Sequence, residues 1–288
     1  MINYIATATF GLEACVKREV IKLGFENVRT FDGRVEFTGD ESAIPRANLW
    51  LRCAGRVFVK MGEFKATSFE ELFQGTKALP WGDWIPVDGK FTVVGKSVKS
   101  TLHSVPDCQA IVKKAIVEKL KEKYDVDWFD ETGAEYTVQV ALLKDMATLT
   151  IDTSGSGLHK RGYRANALDA PLKETLAAAM VELSYWNKDR ILLDPFCGSG
   201  TIPIEAALIA RNIAPGLNRH FASEKWERVP ESLWKEERRK CYEAIDYDCM
   251  PEIYGSDIDP AAIELAKANA ELAGVDDCIT FEVKPVQE

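Results

Sequence analysis

The chain has 288 residues, 46% hydrophobic and 28% charged, which suits two or three globular domains with ample material for a core. No apolar stretch reaches the roughly 18 residues of a membrane helix, and Glu13 and Glu19 stand where a signal peptide would be apolar. Seven cysteines without a CxxC pair, and three scattered histidines, argue for reduced thiols in a cytoplasmic protein and against a disulfide framework or a metal site.

In chain order, the first 65 residues predict strand Tyr4–Thr9, helix Leu12–Leu23, strands Val28–Phe31 and Arg34–Phe37 about Asp32-Gly33, helix Ile44–Leu51 and strand Val57–Phe64. The order βαββαβ is that of a ferredoxin-like unit. Residues 66–155 predict helix Phe69–Leu79, a loop Trp81–Asp88, strand Phe91–Val98, a helix from Pro106 with Ser104 at its N-cap, and strands Tyr136–Leu143 and Ala147–Thr153 about Lys144-Asp145. In that helix Ile111, Val112, Ala115, Ile116 and Leu120 recur at helical spacing, and Lys113, Lys114, Lys121 and Lys123 lie mostly off the stripe.

The third region begins with SGSGLHKRGYR, where Lys160, Arg161 and Arg164 form a compact basic group around Tyr163. Asp169 is placed to N-cap a helix Leu172–Leu183 with Pro171 and Glu174 near its start. Strand Ile191–Asp194, helix Thr201–Arg211, strand Ile253–Asp257 and helix Ala261–Ala273 then alternate, which predicts a parallel-sheet α/β domain. Residues 212–250 interrupt the alternation, with Trp226, Trp234 and Tyr242 as expected anchors.

The net charge of −9 is unevenly spread. Residues 1–164 hold 23 Lys+Arg against 22 Asp+Glu, and residues 88–123 hold eight lysines against four acids; the acidity belongs to the C-terminal part. A local basic face is what phosphate backbones need. A solvated helix face accounts for the same lysines.

The sharpest local signal is LLDPFCGSGT, residues 192–201. A phosphate-binding P-loop requires a lysine after its second glycine, and none follows Gly200. A dinucleotide fingerprint requires a third glycine, where Pro203 stands, and its acid would come only at Asp257, beyond the insertion. A turn that merely ends a strand stays open on these residues alone.

Asp194-Pro195-Phe196-Cys197-Gly198-Ser199-Gly200-Thr201 resembles motif I (Asp-x-Phe-x-Gly-x-Gly-Thr) of class I methyltransferases acting on exocyclic amino groups. YGSDIDPAAIELAKANAELAGV resembles their motif II and DAPLKETLAAAM their motif X. With GLHKRGYR and ARNIAPGLNR, these segments resemble the bacterial THUMP-domain methyltransferases of large-subunit (23S) ribosomal RNA, in particular the guanine-N2 group and its shorter relatives labelled adenine-specific DNA methylases.

The resemblance implies an α/β chain: an N-terminal ferredoxin-like (1–65) plus THUMP (66–155) α+β region, then an incomplete Rossmann-like class I methyltransferase domain (156–288). It implies S-adenosylmethionine as cofactor. Asp194 would face the ammonium group and Asp257 the ribose hydroxyls, while Cβ atoms at Gly198 and Gly200 would clash with the ligand. Phe196, Cys197, Thr201, Ile258, Pro171, Leu172 and Lys173 complete the implied cofactor set, with Cys197 a small turn residue and Asp259 the N-cap of the next helix. Lys113, Lys114, Lys121, Lys160, Arg161 and Arg164 become RNA contacts. The implied activity is methyl transfer to a base amino group of 23S ribosomal RNA, guanine N2 first; a DNA adenine-N6 methyltransferase and a non-catalytic RNA-binding protein are the alternatives.

One expected element is missing. The family's catalytic Asn/Asp-Pro-Pro-Tyr tetrapeptide does not occur, Pro285 stands where an acid for the adenine ring is expected, and the residues end at ITFEVKPVQE. The expectation is a truncated form, with unassigned catalytic residues, that binds cofactor without methylating.

Overall fold

Val35 and Phe37 are buried while Arg34, Glu36 and Thr38 between and beside them are half-buried, a period of two that lays one face of a sheet on a core. In the computed structural model, which describes residues 1–164 and 171–287, β1 (Ile2–Thr7), α1 (Glu13–Lys22), β2 (Glu26–Phe31), β3 (Arg34–Gly39), α2 (Ala43–Trp50) and β4 (Val57–Lys65) follow in the predicted order. β1 lies antiparallel between β3 and β4, with Tyr4 opposite both Phe37 and Val59, the ferredoxin-like arrangement.

α3 (Phe69–Lys77), β5 (Lys90–Val98), α4 (Val105–Tyr124), β6 (Glu135–Leu143) and β7 (Met146–Asp152) come next. Lys144 and Asp145 both take positive φ (51° and 62°), which gives the β6–β7 hairpin the twist it needs. β7 also pairs antiparallel with β4, so the two N-terminal regions share one seven-stranded sheet of order β2-β3-β1-β4-β7-β6-β5. Ser104 is the N-cap of α4 by backbone geometry and makes no side-chain cap bond.

The third region contributes α5 (Glu174–Leu183), β8 (Leu192–Asp194), α6 (Thr201–Ala210), α7 (Glu231–Glu243), β9 (Ile253–Asp257), α8 (Pro260–Ala273) and β10 (Ile279–Val283). Its three strands are parallel, in the order β10-β9-β8, with Leu192 and Ile279 both opposite Ile253. Asp194 and Asp257 therefore close two neighbouring strands at the same sheet end, where open α/β sheets bind ligands. α5 begins at Glu174, later than predicted, with Lys173 extended at its N-cap; Asp169, expected there, lies outside the described residues. Asp259 caps α8 as expected, accepting from the Ala261 N–H at 2.9 Å.

α7 was absent from the sequence prediction. It buries only Trp234, Glu237 and Cys241, too few positions for an apolar stripe, and its charged surface is stitched by pairs such as Arg239–Glu236 at 2.8 Å. The surrounding insertion joins the core of the N-terminal half, to which Phe221, Trp226, Val229, Trp234 and Cys241 all belong. Trp226 stacks on Tyr136 at 4.8 Å and meets Trp84 edge-on at 6.1 Å. Arg46–Glu237 and Arg228–Glu41 pairs, at 3.1 and 3.0 Å, bind the same seam. Tyr242, expected as a third anchor, is 54% exposed. Among the described residues no helix is long and apolar enough to cross a membrane.

Where α1 meets α5, Glu19, Glu182 and Cys53 bring their ligand atoms within 4.8 Å of one another. Burial, then the neighbouring Glu182, pushes the Glu19 carboxyl up to about 8, opposed by the Arg52 and Cys53 N–H groups and the Arg52 charge. The folded state then holds a proton that the unfolded chain releases near pH 4.5. Stability should therefore fall as pH rises through that window. Calorimetric melting between pH 5 and 8 should show this slope, and Glu19→Gln should flatten it; an equally steep slope in the variant would refute the assignment.

Candidate functional site

Between Asp194 and the first residue of α6 the chain turns on two glycines in the left-handed region, Gly198 (φ 51°) and Gly200 (φ 79°). Their surroundings differ. Nothing lies within 4 Å of a Cβ built on Gly198, whereas one on Gly200 would stand 3.0 Å from both Ala266 Cβ and Phe281 Cζ. Gly198 thus borders open space. Gly200 lets α6 pack on α8 and β10, a packing reason for its missing Cβ beside the expected ligand contact.

Backbone and side-chain bonds hold the turn. The Cys197 N–H donates to Ser256 O at 2.9 Å, and the Gly198 N–H to Asp257 Oδ2 at 3.0 Å. Asn269 Nδ2 donates to Ser199 O at 3.0 Å. Asp257 Oδ1 accepts the Asp259 N–H at 3.0 Å, so each of its oxygens has taken one donor and keeps a second lone pair. Asp194 Oδ1 accepts the Phe196 N–H at 3.2 Å. Burial holds the Asp194 carboxyl above the usual range; the Phe196 N–H opposes this and the Asp257 charge adds to it. A positively charged ligand group beside Asp194 would offset that burial.

Pro171, Leu172, Asp194, Phe196, Cys197, Gly198, Ser199, Thr201 and Ile202 line a cleft of about 210 Å³ at this turn. Phe196 (72%) and Ile258 (74%) expose apolar side chains, Ile258 from just beyond β9 and outside that lining. Lys173 is exposed at the start of α5, also outside it. Burial pushes the Cys197 thiol up to about 12, which keeps it protonated and unreactive at neutral pH. A larger cleft, of about 270 Å³, lies at the other end of α6 between Leu217, Tyr242, Tyr247 and Leu272, away from these carboxylates.

The basic residues divide. Lys160 is exposed. Lys113 lies over the Phe91 ring at 4.3 Å and pairs with Glu131 at 3.1 Å, and Lys114 lies 5.9 Å from the Phe73 ring. Lys121 is half-buried in the last turn of α4. Two others are not RNA contacts. Arg161 is 3% exposed: its Nε and Nη2 donate to Glu205 at 3.3 Å each, and Nη2 also to Arg52 O at 2.6 Å. Arg164 points inward to Glu174, Leu172 and Thr201. The adjacency of basic residues in HKRGYR could not reveal this, because the carboxylates they meet, Glu205 and Glu174, lie 44 and 10 residues further on. Glu205 and Asn269 were likewise missed, and Tyr163 and Glu174 were named without a role in the site. Each is a polar side chain whose only signal is its burial.

A parallel sheet with carboxylates closing adjacent strands, a glycine turn into a helix and a cleft beside it define a Rossmann-like class I methyltransferase site, the kind that uses S-adenosylmethionine. Residues 161–288 match the model of the RMKL-like (UPF0020) methyltransferase domain, residues 3–58 the RlmL ferredoxin-like domain and residues 66–152 the THUMP domain. The chain is 56% identical over 286 residues to a Bacillus subtilis (strain 168) protein named "Putative RNA methyltransferase YpsC", covering 99% of this chain and 74% of that one. The solved structure of a predicted N6-adenine-specific DNA methylase from Listeria monocytogenes superposes with a TM-score of 0.96 at 56% identity, over 99% of this chain and 75% of that one. SMU.472, solved in complex with SAH, superposes with a TM-score of 0.94 at 45% identity, over 100% of this chain and 76% of that one. The chain belongs to the THUMP-containing class I methyltransferases and spans about three quarters of these relatives' length.

Proposed function

We propose that this protein methylates an exocyclic amino group of a base in 23S ribosomal RNA, guanine N2, in the cytoplasm. The observation that carries the reading is the joining of one cleft, with Asp194 and Asp257 on adjacent strand ends, to a THUMP-bearing half. The relatives' names include both RNA and DNA methylases; the THUMP-bearing half favours RNA. The proposed division is ferredoxin-like 1–65, THUMP 66–155 and methyltransferase 156–288.

The cofactor supplies a sulfonium methyl group. Asp194 receives its ammonium group, Asp257 accepts from its ribose hydroxyls, and Phe196 and Ile258 flank its apolar ring. Pro171 and Leu172 close the cleft opposite Gly198 and Thr201. Lys113, Lys114, Lys121 and Lys160 are the proposed phosphate contacts; Arg161 and Arg164 are withdrawn from that set. The target base leaves its stack to reach the methyl group. No residue among the 288 is assigned to the transfer step itself.

The deciding experiment incubates a version of the protein extended to its relatives' length with radiolabelled S-adenosylmethionine and unmodified 23S ribosomal RNA, with duplex DNA in parallel. Label on guanine N2 of the RNA is the expected result. Label on DNA adenine alone would overturn the reading. RNA binding without label anywhere would put the non-catalytic binding protein in its place.

A further inference from the structure

We propose that Arg164 is a positioning residue of the cofactor site, whose guanidinium fixes the strap Pro171–Leu172 to the start of α6. The inference rests on the cofactor reading above. Arg164 Nη2 donates to the Leu172 carbonyl at 2.5 Å and to Thr201 Oγ1 at 3.0 Å, while Nε stands 2.7 Å from Glu174 Oε1. Leu172, from the strap, and Thr201, from the first residue of α6, both line the cleft. Glu174, 4% exposed at the first residue of α5, faces its charge partner in the interior. One planar cation therefore joins two segments of the cleft lining and the first residue of α5.

The geometry explains why an arginine stands here. A guanidinium spreads its charge over three nitrogens in a rigid plane, so Nη2 donates to the carbonyl and the hydroxyl while Nε lies beside the carboxylate as an ion pair. A single nitrogen, Nη2, touches both Leu172 and Thr201 while Nε stands beside Glu174, so a lysine ammonium drawn to Glu174 would leave the carbonyl and the hydroxyl without their donor. Arg164 itself is absent from the cleft lining. It acts through Leu172 and Thr201, and its loss should change how well the cleft is pre-shaped more than which groups the cleft presents.

The test is calorimetric titration of the full 288-residue chain with S-adenosylhomocysteine, alongside thermal melting without ligand. Arg164→Lys should keep a melting temperature close to wild type, because the pair with Glu174 persists, and should bind at least tenfold more weakly. Arg164→Ala should bind more weakly still. Thr201→Val should weaken binding by less, and adding it to Arg164→Ala should cost little more, since the two act through one bond. Arg164→Lys with wild-type affinity would overturn the proposal, as would fully additive losses in the double variant. If Arg164→Ala fails to fold, Arg164→Lys and Thr201→Val carry the test alone. Wild-type chain that does not bind the ligand would instead refute the cofactor site itself, an outcome separate from failure of the Arg164 assignment.

Discussion

Asp257→Ala should abolish measurable binding of S-adenosylhomocysteine. The carboxylate closes β9, and each oxygen already accepts one backbone N–H, from Gly198 and from Asp259. The remaining lone pairs are the proposed acceptors of the ribose hydroxyls. Hydrogen bonds to a charged acceptor contribute about 1.5–3 kcal/mol each, so losing two costs more than about a hundredfold in affinity. The substitution also frees the Gly198 N–H, which holds the turn at the open glycine. Asp257→Asn should retain partial affinity, because one oxygen remains to accept. Calorimetry is the check; an alanine variant binding within a few-fold of wild type would remove Asp257 from the site.

The second large effect falls on stability. Arg161→Met should destabilise the protein by about 3–5 kcal/mol, because it leaves the Glu205 carboxylate, 0% exposed, without its ionic partner. Tyr163 would remain, donating its O–H to Glu205 Oε1 at 3.1 Å, which is too little to satisfy a buried charge. A loss of that size lowers the melting temperature by roughly 6–20 °C in a chain of this length. Pairing it with Glu205→Leu should recover much of the loss, since replacing both members of a buried pair by apolar groups is often neutral. The readout separates this role from an RNA contact. A phosphate-binding arginine would leave melting unchanged and flatten the salt dependence of RNA binding by about one charge. That outcome would reverse the assignment.

Arg161 and Arg164 share their sign of charge and their stretch of chain with Lys160, which does face solvent. Both instead support α6, the helix that begins at the glycine turn: Arg161 at mid-helix Glu205 and Arg164 at Thr201. Because Arg161 also donates to the Arg52 carbonyl, the cofactor helix is tied directly to the N-terminal half. The insertion adds a second tie through Trp226 and Trp234.

Sequence alone was enough for whatever depends on neighbours in the chain. Alternation marked β5, Asp-Gly and Lys-Asp marked the two tight turns, and β9 ended at Asp257 as predicted. The motif DPFCGSGT was legible because a strand end, a left-handed turn and a helix start are all made by consecutive residues. Tertiary structure decided the rest. The merging of the two N-terminal regions through β4 and β7 depends on pairing between strands more than 80 residues apart. α7 and its insertion were illegible because the helix owes its place to Trp234 and to distant Arg46, not to an apolar period of its own. Gly200 could be told from Gly198 only once Ala266 and Phe281 were beside it. The charge on Arg161 and Arg164 is written in the chain; whether it meets water or a buried carboxylate depends on what the fold brings opposite, and Glu205 and Glu174 are what it brings.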